Sequence, residues 1–81
     1  MKIAELWVAD GECAKCSMAY AYLASHGFEI HEFEEKDLFD HPDRNAVMTA
    51  MSMVDMALPV AYFADQYWAW NGTEFGQVFD A

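Results

Sequence analysis

The sequence predicts a single α/β domain, 1–81, with a mixed sheet. Three observations carry that expectation. A strand-like apolar run at 3–8 gives way to helical spacing from Cys13 to Gly27, then to an alternating run at 28–33, which together make a βαβ unit. A helix start around Pro42 is followed, after Pro59, by two further short strand-like runs. With 81 residues, 56% of them hydrophobic and 16% aromatic, the chain holds enough apolar material for one modest core.

The elements follow in order. Residues 3–8 (Ile-Ala-Glu-Leu-Trp-Val) are polar only at Glu5, which suits a strand covered on both faces and therefore a central one. Asp10-Gly11 ends it. Cys16, Tyr20, Leu23 and Gly27, with Ala19 and Tyr22 beside them, follow helical spacing, and Ala14, Ala19, Ala21 and Ala24 are good helix formers. Gly27 is a natural C-cap, with His26 in the last turn. Phe28, Ile30 and Phe33 mark a second strand, and acids crowd in at Glu29, Glu32, Glu34, Glu35 and Asp37.

Asp40-His41-Pro42-Asp43 reads as a helix start, with Asp40 or His41 as N-cap and Pro42 in the first turn. This helix is expected to run to about Asp55, with Val47, Met48, Met51, Val54 and Leu58 facing inward. Its methionines read as core filler and not as a soft-metal surface. Pro59 breaks the chain. Strands at 60–64 and 67–70 are expected to meet in a tight hairpin at Asp65-Gln66. Asn71-Gly72 ends the second, and 73–79 is expected as a short helix packing back through Phe75, Val78 and Phe79. The expected order is β-α-β-α-β-β-α, with a right-handed parallel crossover in the first unit and an antiparallel hairpin in the last.

Charge narrows the partners. Fourteen acidic residues face four basic ones (Lys2, Lys15, Lys36 and Arg44), for a net charge of -10. Phosphate contacts need clustered Lys and Arg, so nucleic acid is excluded as a ligand, and an anionic membrane surface is disfavoured. No apolar run approaches the roughly 20 residues that span a bilayer. Glu5 and Asp10 interrupt the first apolar run, so it does not read as a signal peptide. A cytoplasmic, monomeric protein is the expectation. In a reducing compartment two cysteines are not a structural staple, and the small ring they would close stabilises little. Catalysis or metal binding is what remains for them.

The pair is Cys13-Ala14-Lys15-Cys16, placed between the first strand and the first helix. Two thiols at i and i+3 across a helix N-terminus can close a disulfide. The unpaired N–H groups there, together with Lys15, favour a Cys13 thiolate, which is the nucleophile; Asp10 and Glu12 oppose it. Cys16, one turn in, suits the resolving role. A closed zinc site wants four ligands, and there is no second such pair; His26, His31 and His41 fall on different elements and read as surface or capping residues. Redox chemistry without a metal or other cofactor is the reading that follows.

The strand-CxxC-helix opening, the Leu58-Pro59-Val60 step before a hairpin and Trp70-Asn71-Gly72 after it resemble a glutaredoxin. Among glutaredoxin-like proteins the chain is most similar to the NrdH-redoxins, which reduce ribonucleotide reductase. The resemblance spans the whole chain through short motifs in the right order. It implies a thioredoxin-like fold, a four-stranded mixed sheet flanked by helices. It further implies a cis Pro59 facing the cysteine pair, and Leu58 backbone groups that pair with an extended substrate. Catalytic Cys13 and Cys16 would then be joined by substrate-binding Lys15, Leu58, Pro59 and Gly72. The partners implied are a protein disulfide, such as that of ribonucleotide reductase, and thioredoxin reductase or glutathione as reductant. The approach Asp10-Gly11-Glu12 departs from the family's basic residue and proline, and Ala57 and Leu58 replace the Thr and Val of glutathione-using members, so strong glutathione binding is not expected. Two alternatives from other classes are a small CxxC metal chaperone of βαββαβ order and an acidic protein-interaction module.

Overall fold

The first strand, β1 (Lys2–Val8), runs through the middle of the sheet, and its alternation divides the interior in two. The computed structural model describes residues 2–52 and 58–77. After β1 come α1 (Ala14–Ser25), β2 (Phe28–Glu34), a 3-10 helix (Glu35–Asp40), α2 (Arg44–Ser52), β3 (Val60–Phe63), β4 (Gln66–Trp70) and β5 (Phe75–Gln77). The five strands form one open mixed sheet in the order β2-β1-β3-β4-β5. β1 pairs with β2 in parallel, from Lys2 opposite Phe28 to Val8 opposite Glu34, and with β3 in antiparallel, Trp7 opposite Val60. The chain is therefore an α/β protein, as its periodicities predict.

Successive strand residues point to opposite faces, so Leu6 and Val8 meet one helix and Trp7 the other. On the first face Leu6 and Val8 pack with Cys16, Ala19 and Leu23 of α1, closed by Trp70 and Phe75. On the second, Trp7 packs with Leu38, Val47, Ala50, Met51 and Val60. The Trp7 ring stacks on Phe33 at 4.6 Å and meets the His41 ring edge-on at 4.5 Å. Each fully buried Leu in these clusters contributes roughly 1.5–3 kcal/mol through apolar area removed from water. α1 ends one residue earlier than expected, with His26 as its C-cap: the His26 N–H donates to Tyr22 and Leu23 carbonyls, and Gly27 follows in the left-handed region at φ +84. Among the described residues no helix is long and apolar enough to cross a membrane.

Several expectations are corrected. The sheet has five strands, not four, because residues 75–77 form β5 where a helix over 73–79 was expected; Val78 and Phe79 lie outside the described residues. The cause is the loop before it. The Asn71 side-chain oxygen accepts the N–H groups of Thr73 and Glu74, both at 2.9 Å, and the Asn71 N–H donates to the Glu74 carbonyl at 3.0 Å. That turn sends the chain back antiparallel, Trp70 opposite Phe75. The β3–β4 turn sits one residue earlier than expected, with Ala64 (φ +52) and Asp65 (φ +62) both left-handed at its centre. This double left-handed pair matches the right-handed twist of the strands it joins.

α2 begins at Arg44, so neither Asp40 nor His41 is its N-cap and Pro42 precedes its first turn; His41 Nδ1 accepts the Asp43 N–H at 3.1 Å in the turn that leads into it. Of its expected inward residues, Val47 and Met51 are buried, whereas Met48 is exposed and Ala50 takes its place. Val54 lies outside the described residues, as does the end of the helix near Asp55. The strand that a βαββαβ metal chaperone needs after β2 is replaced by the 3-10 helix and α2.

Candidate functional site

Strand polarity collects the site at one end of the sheet. The carboxyl ends of β1, β2 and β4 and the start of β3 share that end, because β1 is parallel to β2 and antiparallel to β3, which is antiparallel to β4. The chain leaves β1 through Asp10 and Gly11. Gly11 has φ +80, a conformation that costs an L side chain and costs glycine nothing, and it swings Cys13 onto the start of α1. Asp10 is held from the neighbouring connection, its carboxylate accepting the Lys36 N–H at 3.4 Å.

Cys13 is the N-cap of α1. Its backbone is extended (φ -149, ψ 102), its carbonyl accepts the Ser17 N–H at 3.1 Å, and its sulfur accepts the Cys16 N–H at 3.2 Å. The sulfur thus occupies the position that a Ser or Thr hydroxyl oxygen takes at most helix starts. Cys13 and Cys16 form a disulfide, their Cα atoms 5.2 Å apart. The two sulfurs are not equivalent to solvent: Cys16 is buried in the first core, while Cys13 is half-buried at its margin.

The pair lies in a shallow open cavity of about 610 Å³ whose walls include Gly11, Glu12, Tyr20 and Glu32. Tyr20, grouped by helical spacing with Cys16 and Leu23, is 45% exposed and forms a wall of this cavity. Glu32, read only as one of a crowd of acids, and Tyr20, read only as part of the helix, were not expected at the cysteine site. Glu32 was legible: on the strict alternation of β2 it shares a face with Phe28 and Ile30, the face that α1 covers, and it is the polar end of that apolar row.

The other predicted site residues are gathered less closely. Lys15 is exposed between the cysteines but does not line the cavity. The Leu58–Pro59 peptide bond is cis. Pro59 is fully buried, and the register that sets Trp7 opposite Val60 brings it alongside Val8, one strand over from the cysteine loop. It is not among the residues that line the cavity. Leu58 packs partly buried against the second core, on the α2 side. Gly72 sits in the β4–β5 turn at the same end, at φ +107, roughly 10 Å across the sheet from β1 at about 5 Å per strand.

Among the described residues no group of three or more His, Cys, Asp and Glu side chains could hold a metal. The histidines are engaged separately: His26 Nδ1 lies 2.7 Å from the Tyr22 carbonyl oxygen, His31 pairs with Glu29 at 2.9 Å, and His41 caps the turn into α2. The site is a dithiol pair in its oxidised form, set at a helix N-terminus at the carboxyl end of a central strand of an α/β sheet. Comparison with family models, with curated proteins and with solved structures finds no match to this chain.

Proposed function

We propose that this protein is a small thiol–disulfide oxidoreductase with a thioredoxin-like arrangement, working as a glutaredoxin of the NrdH-redoxin kind. The observation that carries the reading is the Cys13–Cys16 disulfide with Cys13 as the N-cap of α1, open to a cavity, and Cys16 buried behind it. In the reduced protein the Cys13 thiolate is favoured by the helix N-terminus and by the Cys16 N–H. It attacks one sulfur of a substrate disulfide, breaking that bond and forming a mixed disulfide; the expelled substrate thiolate takes up a proton. The Cys16 thiolate then attacks the Cys13 sulfur, releasing the second substrate thiol and forming the Cys13–Cys16 bond. Two electrons and two protons pass from protein to substrate.

Support for substrate contacts beyond the cysteines is positional. Lys15 is exposed between the cysteines, and Leu58, Pro59 and Gly72 lie at the same end of the sheet, where an extended segment could pair with the Leu58 backbone. The physiological electron acceptor under this reading is a protein disulfide such as that of ribonucleotide reductase, with thioredoxin reductase or glutathione restoring the dithiol. The test is trapping. Cys16→Ser incubated with a disulfide-bonded protein should accumulate a covalent adduct through Cys13, visible by intact mass and released by reductant. A variant that forms no adduct while the wild-type chain is equally inert would contradict the reading.

A further inference from the structure

Resting on the redox reading above, we infer that the cysteine cavity selects its substrate by charge, and that the preferred substrate is a disulfide embedded in a basic polypeptide segment. The described walls of the cavity carry two carboxylates, Glu12 and Glu32, and no cation. They come from two different elements, Glu12 from the loop before α1 and Glu32 from near the end of β2. Of the nearby cations, one lysine lies between the cysteines and one is paired. Lys15 lies outside the walls, and the Lys36 ammonium is 3.8 Å from Glu34. Behind the cavity stands a chain of net charge -10, so its local field and the field of the whole molecule have the same sign. Tyr20, half in solvent, gives one wall an aromatic surface on which an Arg or Lys stem can lie.

An anionic disulfide meets repulsion at the point where sulfur must approach sulfur, and a cationic one meets attraction. The exchange itself is unchanged: peptide disulfide and protein dithiol go to peptide dithiol and protein disulfide. What the carboxylates alter is the encounter, so the effect belongs in the bimolecular rate and must fade with salt.

The test uses the reduced full-length protein and three peptides of equal length, each with one internal disulfide flanked by two Arg, two Gln or two Glu. Every rate is divided by that of the same peptide with dithiothreitol, an uncharged dithiol, which removes the peptide's intrinsic reactivity. The Arg peptide should react about tenfold faster than the Glu peptide at low ionic strength. In 1 M NaCl, where screening acts over about 3 Å, the ratio should fall to within about twofold. Glu12→Gln/Glu32→Gln, at two surface positions, should shrink the low-salt ratio several-fold. Equal normalised rates for the three peptides would overturn the inference and leave the redox reading standing. A ratio that survives the double substitution would overturn it too, by moving the selection from the cavity to the overall charge. No exchange with any peptide would overturn both.

Discussion

At the scale of single residues, Cys13 has two jobs that can be separated. Its sulfur caps α1, and under the proposed function it is the attacking atom. A serine can do the first job and not the second. Cys13→Ser and Cys13→Ala both lose the disulfide, so their difference isolates the cap: the serine variant should be more stable by about 1 kcal/mol in urea unfolding. Equal stabilities would show that a side-chain cap at this position contributes nothing. The same scale shows where reading the sequence ran short. Cys16, Ala19 and Leu23 were legible as the buried stripe of α1, yet Tyr20 was placed with them, and Met48 was placed in the core instead of Ala50. In a chain this apolar, hydrophobic residues also cover the outer faces of helices; Met18, Tyr20 and Met48 are all exposed. The buried side is marked instead by small residues, Ala19 and Ala50, where helix and sheet approach closely.

At the scale of elements, turns decided what periodicity left open. The first strand was readable from its nearly unbroken apolar run, and the first helix and the parallel second strand from the spacing of their apolar residues. Residues 73–79 were not, since three residues of strand carry too little pattern, and the deciding signal was the Asn71 side chain folding the loop back. Asn-Gly is itself a hairpin signal, here between β4 and β5. The β3–β4 turn holds two non-glycine residues left-handed, Ala64 at φ +52 and Asp65 at φ +62. Alanine is poorly suited there, so Ala64→Asn with Asp65→Gly should raise stability by about 1 kcal/mol. Urea titration reads this directly, and a loss of stability would mean that the turn has a different conformation.

At the scale of the whole molecule, the sheet's polarity does what no local motif could announce. It brings the loop after β1, the step before β3 and the turn after β4 to one end, so residues more than forty positions apart, Cys13 and Pro59, share that end of the sheet. The two helices cover opposite faces and leave that end open. The central position of β1 was legible from its nearly unbroken apolar run, while the spatial order of the other strands and the fifth strand were not, because strand order depends on long-range pairing.

The most direct test of the redox claim is turnover with a protein disulfide. With dithiothreitol as terminal reductant, catalytic amounts of the wild-type chain should accelerate reduction of the insulin disulfides. Cys13→Ser, shown by circular dichroism to be folded, should bring the rate down to the uncatalysed background. Undiminished acceleration by folded Cys13→Ser would contradict the account.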